Sequence, residues 1–300
     1  MDENRAASAY AAALGMTVAF GLSFVATKYA LRGFEPFLVA LLRFVLAGSV
    51  LWLVWWLRPS RERVTRADLL RFAALGFVSL TLYFALEING IARTSASEAA
   101  IIIATIPVFV TALARVVLGE PTGRRRWLGV AVSFAGVVAL VLLGGGGGGG
   151  SLAGNLLVLG AALTAAVYNL MARRLLASRS ALYVTAYQHL FGALFTLPLA
   201  LIEALAAGLR RPTGPAVAGL FYLVVFCSVL AYLLLNYALS VLEASRVAVF
   251  VNLTPVVAVT AAFVVLGERF SAGQAVAAAV VVLGVWTANS GGAGRSAVAG

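Results

Sequence analysis

The sequence contains one apolar segment twice, and the two copies are spaced by about half of the chain. Residues 96–120 and 244–268 align without a gap at an offset of 148 residues, and 11 of the 25 aligned positions are identical. Each copy begins with Ala-Ser, has Pro-Val at its centre (Pro107 and Pro255) and ends with Val-Val-Leu-Gly-Glu. A repeat at half of the chain length predicts two homologous halves. Each copy is also long and apolar enough to span a bilayer.

The composition places the whole chain in lipid. Hydrophobic residues make up 62% of the sequence and charged residues 11%, whereas soluble domains have about 25% charged residues. The formal net charge of +11 would suggest a nucleic-acid partner in a soluble protein. In a membrane protein, basic loops are what the positive-inside rule requires, so we expect the lipid bilayer and no nucleic acid as a partner.

Ten apolar runs of about twenty residues or more predict an all-α integral membrane fold of ten transmembrane helices. The runs lie near 9–31, 36–57, 67–89, 96–118, 125–143, 152–174, 181–206, 213–239, 244–266 and 271–289. Between the fifth and sixth runs lie seven consecutive glycines, 144–150, which are typical of a flexible tether. The predicted domains are a first five-helix repeat over 1–143, a linker over 144–151 and a second repeat over 152–300.

The distribution of basic residues predicts the orientation. With the N-terminus inside, the cytoplasmic segments carry 14 arginines and the outer segments carry 5. Both termini are therefore predicted to be cytoplasmic. Five spans per half is an odd number, so the second half enters the membrane inverted, and a site is expected at mid-membrane between the halves.

The two central prolines are predicted hinges. Pro107 and Pro255 lack an N–H, so the carbonyls of Ile103 and Val251 lose their helical partners, and such breaks must face protein or water within a bilayer. The functional interpretation is a kink that exposes backbone to substrate in the fourth and ninth helices. The alternative is a tolerated kink of a membrane helix.

Charged residues inside the apolar runs form a second group of candidates. Lys28, Arg43, Glu87 and Glu98 fall toward the predicted outer ends of their helices. They fit an outer gate or a vestibule for a zwitterion, with Lys28 and Arg43 as gating residues, and they equally fit a structural ion-pair cluster. Arg115 lies near the cytoplasmic end of its helix, where it can extend to the interface.

Aromatic and amide residues form the third group. Tyr83 and Glu87 are four residues apart and therefore share a helix face; Phe20, Ser23 and Thr27 share a face in the same way. Apolar walls with a few polar groups suit an aromatic metabolite, whereas interhelical hydrogen bonding is the structural alternative. The predicted substrate-binding residues are Phe20, Ser23, Tyr83, Glu87, Tyr168, Asn169, Tyr187, His189, Tyr232, Asn236 and Asn252.

Three further side chains are candidates: a histidine with a functional and a structural interpretation, and two glutamates with a structural one. His189 is the only histidine; it suits either proton coupling or hydrogen-bonded packing. The glutamates of the two Leu-Gly-Glu motifs, Glu120 and Glu268, are predicted to satisfy free N–H groups at the start of the helix that follows each of them.

These motifs resemble those of the EamA-type drug/metabolite transporters. The resemblance rests on Pro107 with Leu118-Gly119-Glu120, on Pro255 with Leu266-Gly267-Glu268, and on the Gly-containing last helix of each half. Within that superfamily the sequence most resembles the YddG-like exporters of aromatic and other amino acids. The resemblance implies a ten-helix carrier of the bacterial inner membrane that exports metabolites by alternating access.

The expected function is export of amino acids or similar metabolites through a central cavity, without an organic cofactor, a metal or enzymatic activity. The expected partners are a small-molecule substrate and the bilayer, and a monomer is compatible with the sequence. The alternatives are a transporter of phosphorylated sugars, nucleotide sugars or drugs from the same superfamily, an intramembrane enzyme, and a channel.

Overall fold

The computed structural model describes residues 3–57, 64–118, 123–143, 150–176, 179–208, 211–241, 250, 253–269 and 271–290. Within these residues the chain forms ten helices and no strand. Eight helices are long and apolar enough to cross a membrane, and two shorter apolar helices complete the set over Thr254–Leu266 and Ala272–Ala288. The predicted all-α membrane fold is confirmed.

The helices follow the predicted apolar runs closely. They are α1 (Glu3–Ala30), α2 (Pro36–Trp56), α3 (Arg66–Gly76, Phe77–Leu82 and Tyr83–Arg93), α4 (Ala96–Ile103 and Ile106–Leu118), α5 (Arg124–Leu143), α6 (Leu152–Leu176), α7 (Ala181–Ala207), α8 (Gly214–Tyr222, Leu223–Leu230 and Ala231–Val241), α9 (Thr254–Ala261 and Ala262–Leu266) and α10 (Ala272–Ser290). Most of the predicted linker, and the start of the ninth run, lie outside the described residues.

Helix α4 is interrupted next to Pro107, and the described part of α9 begins next to Pro255. In α4 the helix stops at Ile103 and restarts at Ile106, and the turn between them is held by a hydrogen bond from the hydroxyl of Thr105 to the carbonyl of Ile102 (2.6 Å). Pro107 is therefore the second residue of the second part of α4. Pro255 is likewise the second residue of the helix that starts at Thr254. The first turn of a helix tolerates proline because its N–H groups have no helical partner.

Helices α3 and α8 each contain a wider, π-helical stretch, which the sequence pattern did not predict. The stretches cover Phe77–Leu82 and Leu223–Leu230, and the half-chain offset of 148 residues carries the first onto the second. Such π-helical turns are rare and occur frequently at functional sites. A third stretch, Ala262–Leu266, ends α9.

Several helices of each half pack mainly against helices of the other half. Helix α1 packs on α8 and α9, and α6 packs on α3 and α4, which are the corresponding helices of the other half. Helix α2 packs on α7, α4 on α9, and α5 on α10. This arrangement is what two related five-helix units produce when they pack across a pseudo-two-fold axis.

Large apolar side chains cover the outside of the helices. Leu205 is 87% exposed, Val116 78% and Trp286 60%. A water-soluble monomer rarely exposes contiguous apolar surface of this kind, whereas lipid solvates it. The protein is therefore a multi-pass membrane protein.

Helices α5 and α10 approach each other closely through glycine. A Cβ atom at Gly136 would lie 2.7 Å from the backbone nitrogen of Val281, and one at Gly284 would overlap the backbone of Ser133. Small residues let membrane helices meet at backbone distance. This contact holds α5 and α10, which belong to different halves of the chain, at backbone distance.

We expect Gly284→Val to destabilise the protein by about 1–3 kcal/mol, because the new side chain must push α5 away from α10. The measurement is the melting temperature of the purified protein in detergent. Ala279→Val is the matched control, since Ala279 is exposed on the same helix and should leave the melting temperature nearly unchanged. Equal melting temperatures for both variants would contradict the close contact.

Candidate functional site

A buried cation, Arg43, lies at the centre of a polar cluster between α2, α3 and α8. The side chain is only 9% exposed. Its Nε donates a hydrogen bond to the hydroxyl of Ser228 on the π-helical stretch of α8 (2.7 Å). Its guanidinium carbon lies 4.8 Å from the ring centroid of Phe84 on α3, which is the geometry of a cation–π contact. The guanidinium is thus held from two sides.

The acidic member of this cluster is Glu87, which lies on α3 one turn beyond Tyr83. The Tyr83 hydroxyl donates a hydrogen bond to Glu87 Oε1 (2.7 Å), which confirms that the two residues share a helix face. Arg43 acts electrostatically on Glu87, yet no direct ion pair joins these two described side chains. We refer to Arg43, Tyr83, Phe84, Glu87 and Ser228 as the Arg43 cluster.

Part of the hydrogen-bonding capacity of the cluster is unused. Within the described part of the chain, the Nη1 and Nη2 atoms of Arg43 and the Oε2 atom of Glu87 have no hydrogen-bond partner. These three atoms are not among the buried side-chain atoms that lack a hydrogen-bond partner. The arrangement therefore presents a cation and an anion that are both oriented by protein and are not paired with each other.

The π-helical stretches of α3 and α8 receive equivalent contacts. As Arg43 of α2 binds Ser228 of α8, Gln188 of α7 donates a hydrogen bond to the hydroxyl of Ser79 on α3 (2.6 Å). Gln188 also interacts with the hydroxyl of Tyr168 on α6. Each π-helical serine thus accepts a hydrogen bond from a side chain of a helix of the other half. The donor is a cation, Arg43, in one case and a neutral amide, Gln188, in the other.

The single cysteine, Cys227, precedes Ser228 on α8 and is fully buried. Its thiol lies 3.3 Å from the carbonyl of Ala19 on α1. A buried free cysteine of this kind behaves as a small apolar side chain.

Two other predicted binding residues on α7 have packing partners. His189 is 6% exposed, its Nδ1 lies 2.9 Å from the carbonyl of Thr185, and its ring meets the edge of Phe44. Tyr187 stacks on Phe72, with ring centroids 5.0 Å apart, inside an aromatic cluster of α2, α3 and α7. The structure therefore separates Tyr187 from the Arg43 cluster. His189 lies closer to it, and the charge of Arg43 acts electrostatically on the imidazole.

Of the remaining predicted binding residues, some form hydrogen bonds within their own helix and others lie outside the described residues. The hydroxyl of Ser23 bonds to the carbonyl of Phe20 (2.6 Å), and the amide of Asn169, which is exposed, bonds to the carbonyl of Ala165 (2.7 Å). Tyr232 and Asn236 lie on α8, but their side chains, and all of Asn252, lie outside the described residues.

A second polar cluster surrounds Glu98, at the helix ends next to Gly150. Glu98 is fully buried and accepts hydrogen bonds from Thr94 (3.0 Å), from Asn155 on α6 (2.6 Å) and from Gln274 on α10 (2.6 Å). Four predicted charges, Lys28, Arg43, Glu87 and Glu98, are therefore divided between two clusters rather than gathered in one.

Lys28 and Glu268 complete this second cluster. The ammonium of Lys28 donates a hydrogen bond to the backbone carbonyl of Thr94 and interacts electrostatically with Glu268 and Glu98. Glu268 accepts the backbone N–H groups of Ala96 (2.8 Å) and Ser97 (3.0 Å). We call Lys28, Thr94, Glu98, Asn155, Glu268 and Gln274 the linker-side cluster.

The contact of Glu268 corrects one prediction. Glu268 satisfies free N–H groups at a helix start, as expected, but the helix is α4 of the other half and not the following helix, α10. Helix α10 is capped locally, because Ser271 and Gln274 exchange hydrogen bonds between side chain and backbone (2.9 and 3.2 Å). Glu120, the counterpart in the first repeat, lies outside the described residues.

A cavity of about 280 Å³ lies between α4 and α9 beside the linker-side cluster. It is lined by Ser97, Val259, Thr260, Phe263 and Glu268.

The sequence pattern did not identify five residues of the two clusters, namely Phe84, Ser228, Thr94, Asn155 and Gln274. Four of these are polar residues inside or beside apolar runs, and that feature is the available signal, since polar residues in membrane helices usually bond to a neighbouring helix.

Comparison with known proteins shows what the chain is similar to. The model of a family described as "EamA-like transporter family" matches residues 7–142 and 152–290. An uncharacterized transporter of Archaeoglobus fulgidus is 32% identical over 88% of this chain and 91% of its own length. The uncharacterized transporter YcxC of Bacillus subtilis is 32% identical over 96% and 95%.

Two further matches concern function and fold. A probable terminal-alkyne amino-acid exporter of Streptantibioticus cattleyicolor is 30% identical over 84% of this chain and 83% of its own length. A solved crystal structure superposes with a TM-score of 0.63 at 21% identity, covering 94% of this chain and 97% of that one, and it supports the fold alone.

Proposed function

The chain belongs to the EamA-like transporter family, and from this premise we propose that it exports amino acids or similar small zwitterions across the bacterial inner membrane. The observation that carries the proposal is the Arg43 cluster, which holds a cation and an anion inside the helix bundle without pairing them to each other. A charged side chain within a membrane span is costly, by up to about 2.5–3.5 kcal/mol at the bilayer centre on insertion scales. Two such charges with free donors and acceptors favour a ligand-binding role.

The chemistry of the cluster matches an amino acid. The α-carboxylate of the substrate would accept hydrogen bonds from Nη1 and Nη2 of Arg43, because a guanidinium presents two parallel N–H donors. The α-ammonium would donate to Oε2 of Glu87, since Oε1 is engaged by Tyr83. The rings of Phe84 and Tyr83 supply apolar contact for the substrate side chain. Arg43, predicted as a gating residue, is thereby assigned to the substrate.

The broken helices support alternating access. Helix α4 is interrupted beside Pro107, and the described part of α9 begins beside Pro255. Discontinuous helices surround the substrate in many secondary transporters with inverted repeats. We propose that the two halves, 1–143 and 152–300, rock against each other about these breaks, with both termini in the cytoplasm. The similarity to a relative named a probable amino-acid exporter is in line with the proposed substrate class.

Counterflow in proteoliposomes tests the proposal. Vesicles preloaded with unlabelled amino acid should take up labelled Phe, Trp, Met or Thr, and protein-free vesicles should not. Phenethylamine and phenylpropionate are matched controls, because each keeps the aromatic ring and one of the two charges. We expect both to exchange at least about tenfold more slowly than Phe, since each leaves one buried charge unpaired.

Two outcomes would contradict the proposal. Exchange of a sugar phosphate but of no amino acid would identify the phosphorylated-sugar alternative, which depends on deep cations. Equal exchange of Phe and both singly charged analogues would remove the zwitterion site while leaving a transporter of drug-like aromatic compounds.

A further inference from the structure

The linker-side cluster joins the two halves of the protein at one end of the bundle. Glu98 belongs to the first half, and its donors Asn155 and Gln274 belong to the second. In the opposite direction, Glu268 of the second half caps the N-terminus of α4 in the first. Every one of these contacts must be broken if the halves separate at this end.

The hydrogen bonds of the linker-side cluster are strong while this end of the helix bundle is closed and the cluster is buried. Glu98 is fully buried and accepts three side-chain hydrogen bonds, and bonds to an ionised acceptor are about twice as strong as neutral ones. Lys28 adds one positive charge beside Glu98 and Glu268. When the cluster opens, water can solvate the same groups at the membrane surface, so that the open state is also accessible. A contact of this kind suits a reversible closure.

The part of α4 that carries Glu98 is a separate, buried helical segment. Ala96–Ile103 is separated from Ile106–Leu118 by the turn beside Pro107. Its first turn is held by Glu268, and its face by Asn155 and Gln274. The segment Ala96–Ile103 is therefore connected to the rest of the chain by the turn at 104–105 on one side and by the short connection from α3 on the other.

The end of the linker lies directly on the cluster. A Cβ atom at Gly150 would overlap the carboxylate of Glu98, so the chain that enters α6 runs against this side chain with no room between them. Gly150, near the end of the linker, is thus in contact with the carboxylate that joins the two halves.

We propose that the linker-side cluster is the outer gate of the transporter, closed in this structure, and that Ala96–Ile103 swings away from α6 and α10 to release substrate. The proposal rests on the proposed transport function and on the predicted orientation, which places Gly150 outside. It assigns Lys28 and Glu98 to closure of the outer end rather than to the substrate.

Labelling of a buried cysteine tests the gate without any substrate. Thr27→Cys, introduced together with Cys227→Ser, is the reporter, because Thr27 is 4% exposed and precedes Lys28 on α1. A membrane-impermeant thiol reagent added outside should react slowly. Adding Glu98→Gln should accelerate the reaction by about tenfold or more, because the charge-assisted bonds are lost. Glu203→Gln is the matched control: it caps the start of α2 from α7, lies outside the cluster, and should leave the rate unchanged.

A cross-link tests the same gate in a protein with Glu98 intact. Thr94 and Asn155 are in side-chain contact between the halves. Cysteines at both positions, introduced together with Cys227→Ser and joined by a short bifunctional methanethiosulfonate, should block counterflow, and a reductant should restore it to the rate of the untreated double variant. Each single cysteine variant, compared with its own rate before treatment, should lose no counterflow when treated.

The outcomes separate the gate from the substrate assignment. Unchanged reporter labelling in Glu98→Gln, or full transport by the cross-linked protein, would overturn the gate. Faster labelling only from the inside would overturn its outer position. If no amino acid is exchanged but the reporter behaves as expected, the gate stands and the substrate class is wrong.

Discussion

Replacing Arg43 with alanine should lower kcat/KM for amino-acid transport by at least about 30-fold, because removing one partner of a buried charge interaction typically costs about 2–5 kcal/mol. The guanidinium is 9% exposed and is oriented by Ser228 and Phe84. Its loss leaves the substrate carboxylate without donors in an apolar interior. Initial rates of labelled Phe uptake into proteoliposomes, corrected for the amount of folded protein, measure the effect.

Two further variants divide the role of Arg43 into charge and orientation. Arg43→Lys keeps the charge but loses the two parallel donors and the bond to Ser228, so we expect an intermediate loss. Ser228→Ala keeps the guanidinium and removes only its Nε partner, so we expect a smaller loss, mainly in KM. Near-normal uptake by Arg43→Ala, in protein with an unchanged melting temperature, would show that the cluster is structural.

Replacing Pro107 or Pro255 with alanine should slow transport by about tenfold while leaving KM within a few-fold. Alanine restores the missing N–H and allows the helix to continue through the break, so the movement between the two parts of each helix becomes harder while the Arg43 cluster is untouched. The double variant should be slower than either single variant. Turnover and KM in the counterflow assay measure the effect.

A third proline provides the matched control for the hinges. Pro198 lies inside α7, where the helix continues without interruption, and it is exposed on the surface of the bundle. Pro198→Ala should therefore have little effect on turnover. Equal, normal turnover in Pro107→Ala and Pro255→Ala would mean that the breaks are tolerated kinks and that closure of the gate depends on other elements.

The sequence pattern was sufficient for features that depend on local chemistry. Hydropathy over about twenty residues predicts a membrane helix because the bilayer imposes its own thickness on the chain. The interruption of α4 follows from Pro107, since a missing N–H acts on the carbonyl four residues earlier in the same helix. The bond between Tyr83 and Glu87 follows from their spacing on one helix face.

The partners of the buried charges could not be predicted in this way. Arg43 binds Ser228, which is 185 residues away, and Glu98 binds Gln274, which is 176 residues away. Nothing in the spacing distinguishes these residues from other polar positions in apolar runs. The same limit explains the error on Glu268, whose nearest helix start along the chain is already capped by Ser271, so that its carboxylate is free to serve a helix of the other half.

The sequence alone thus determined the class of the protein, its two related halves and the positions where its helices break, because each of these depends on the chain within a single helix or on a repeat that can be aligned. The tertiary structure decided which charges form a cluster and which separate. That division depends on which helices of the two halves face each other, and a buried charge is stabilised by whichever donors the opposite helix places within hydrogen-bond distance.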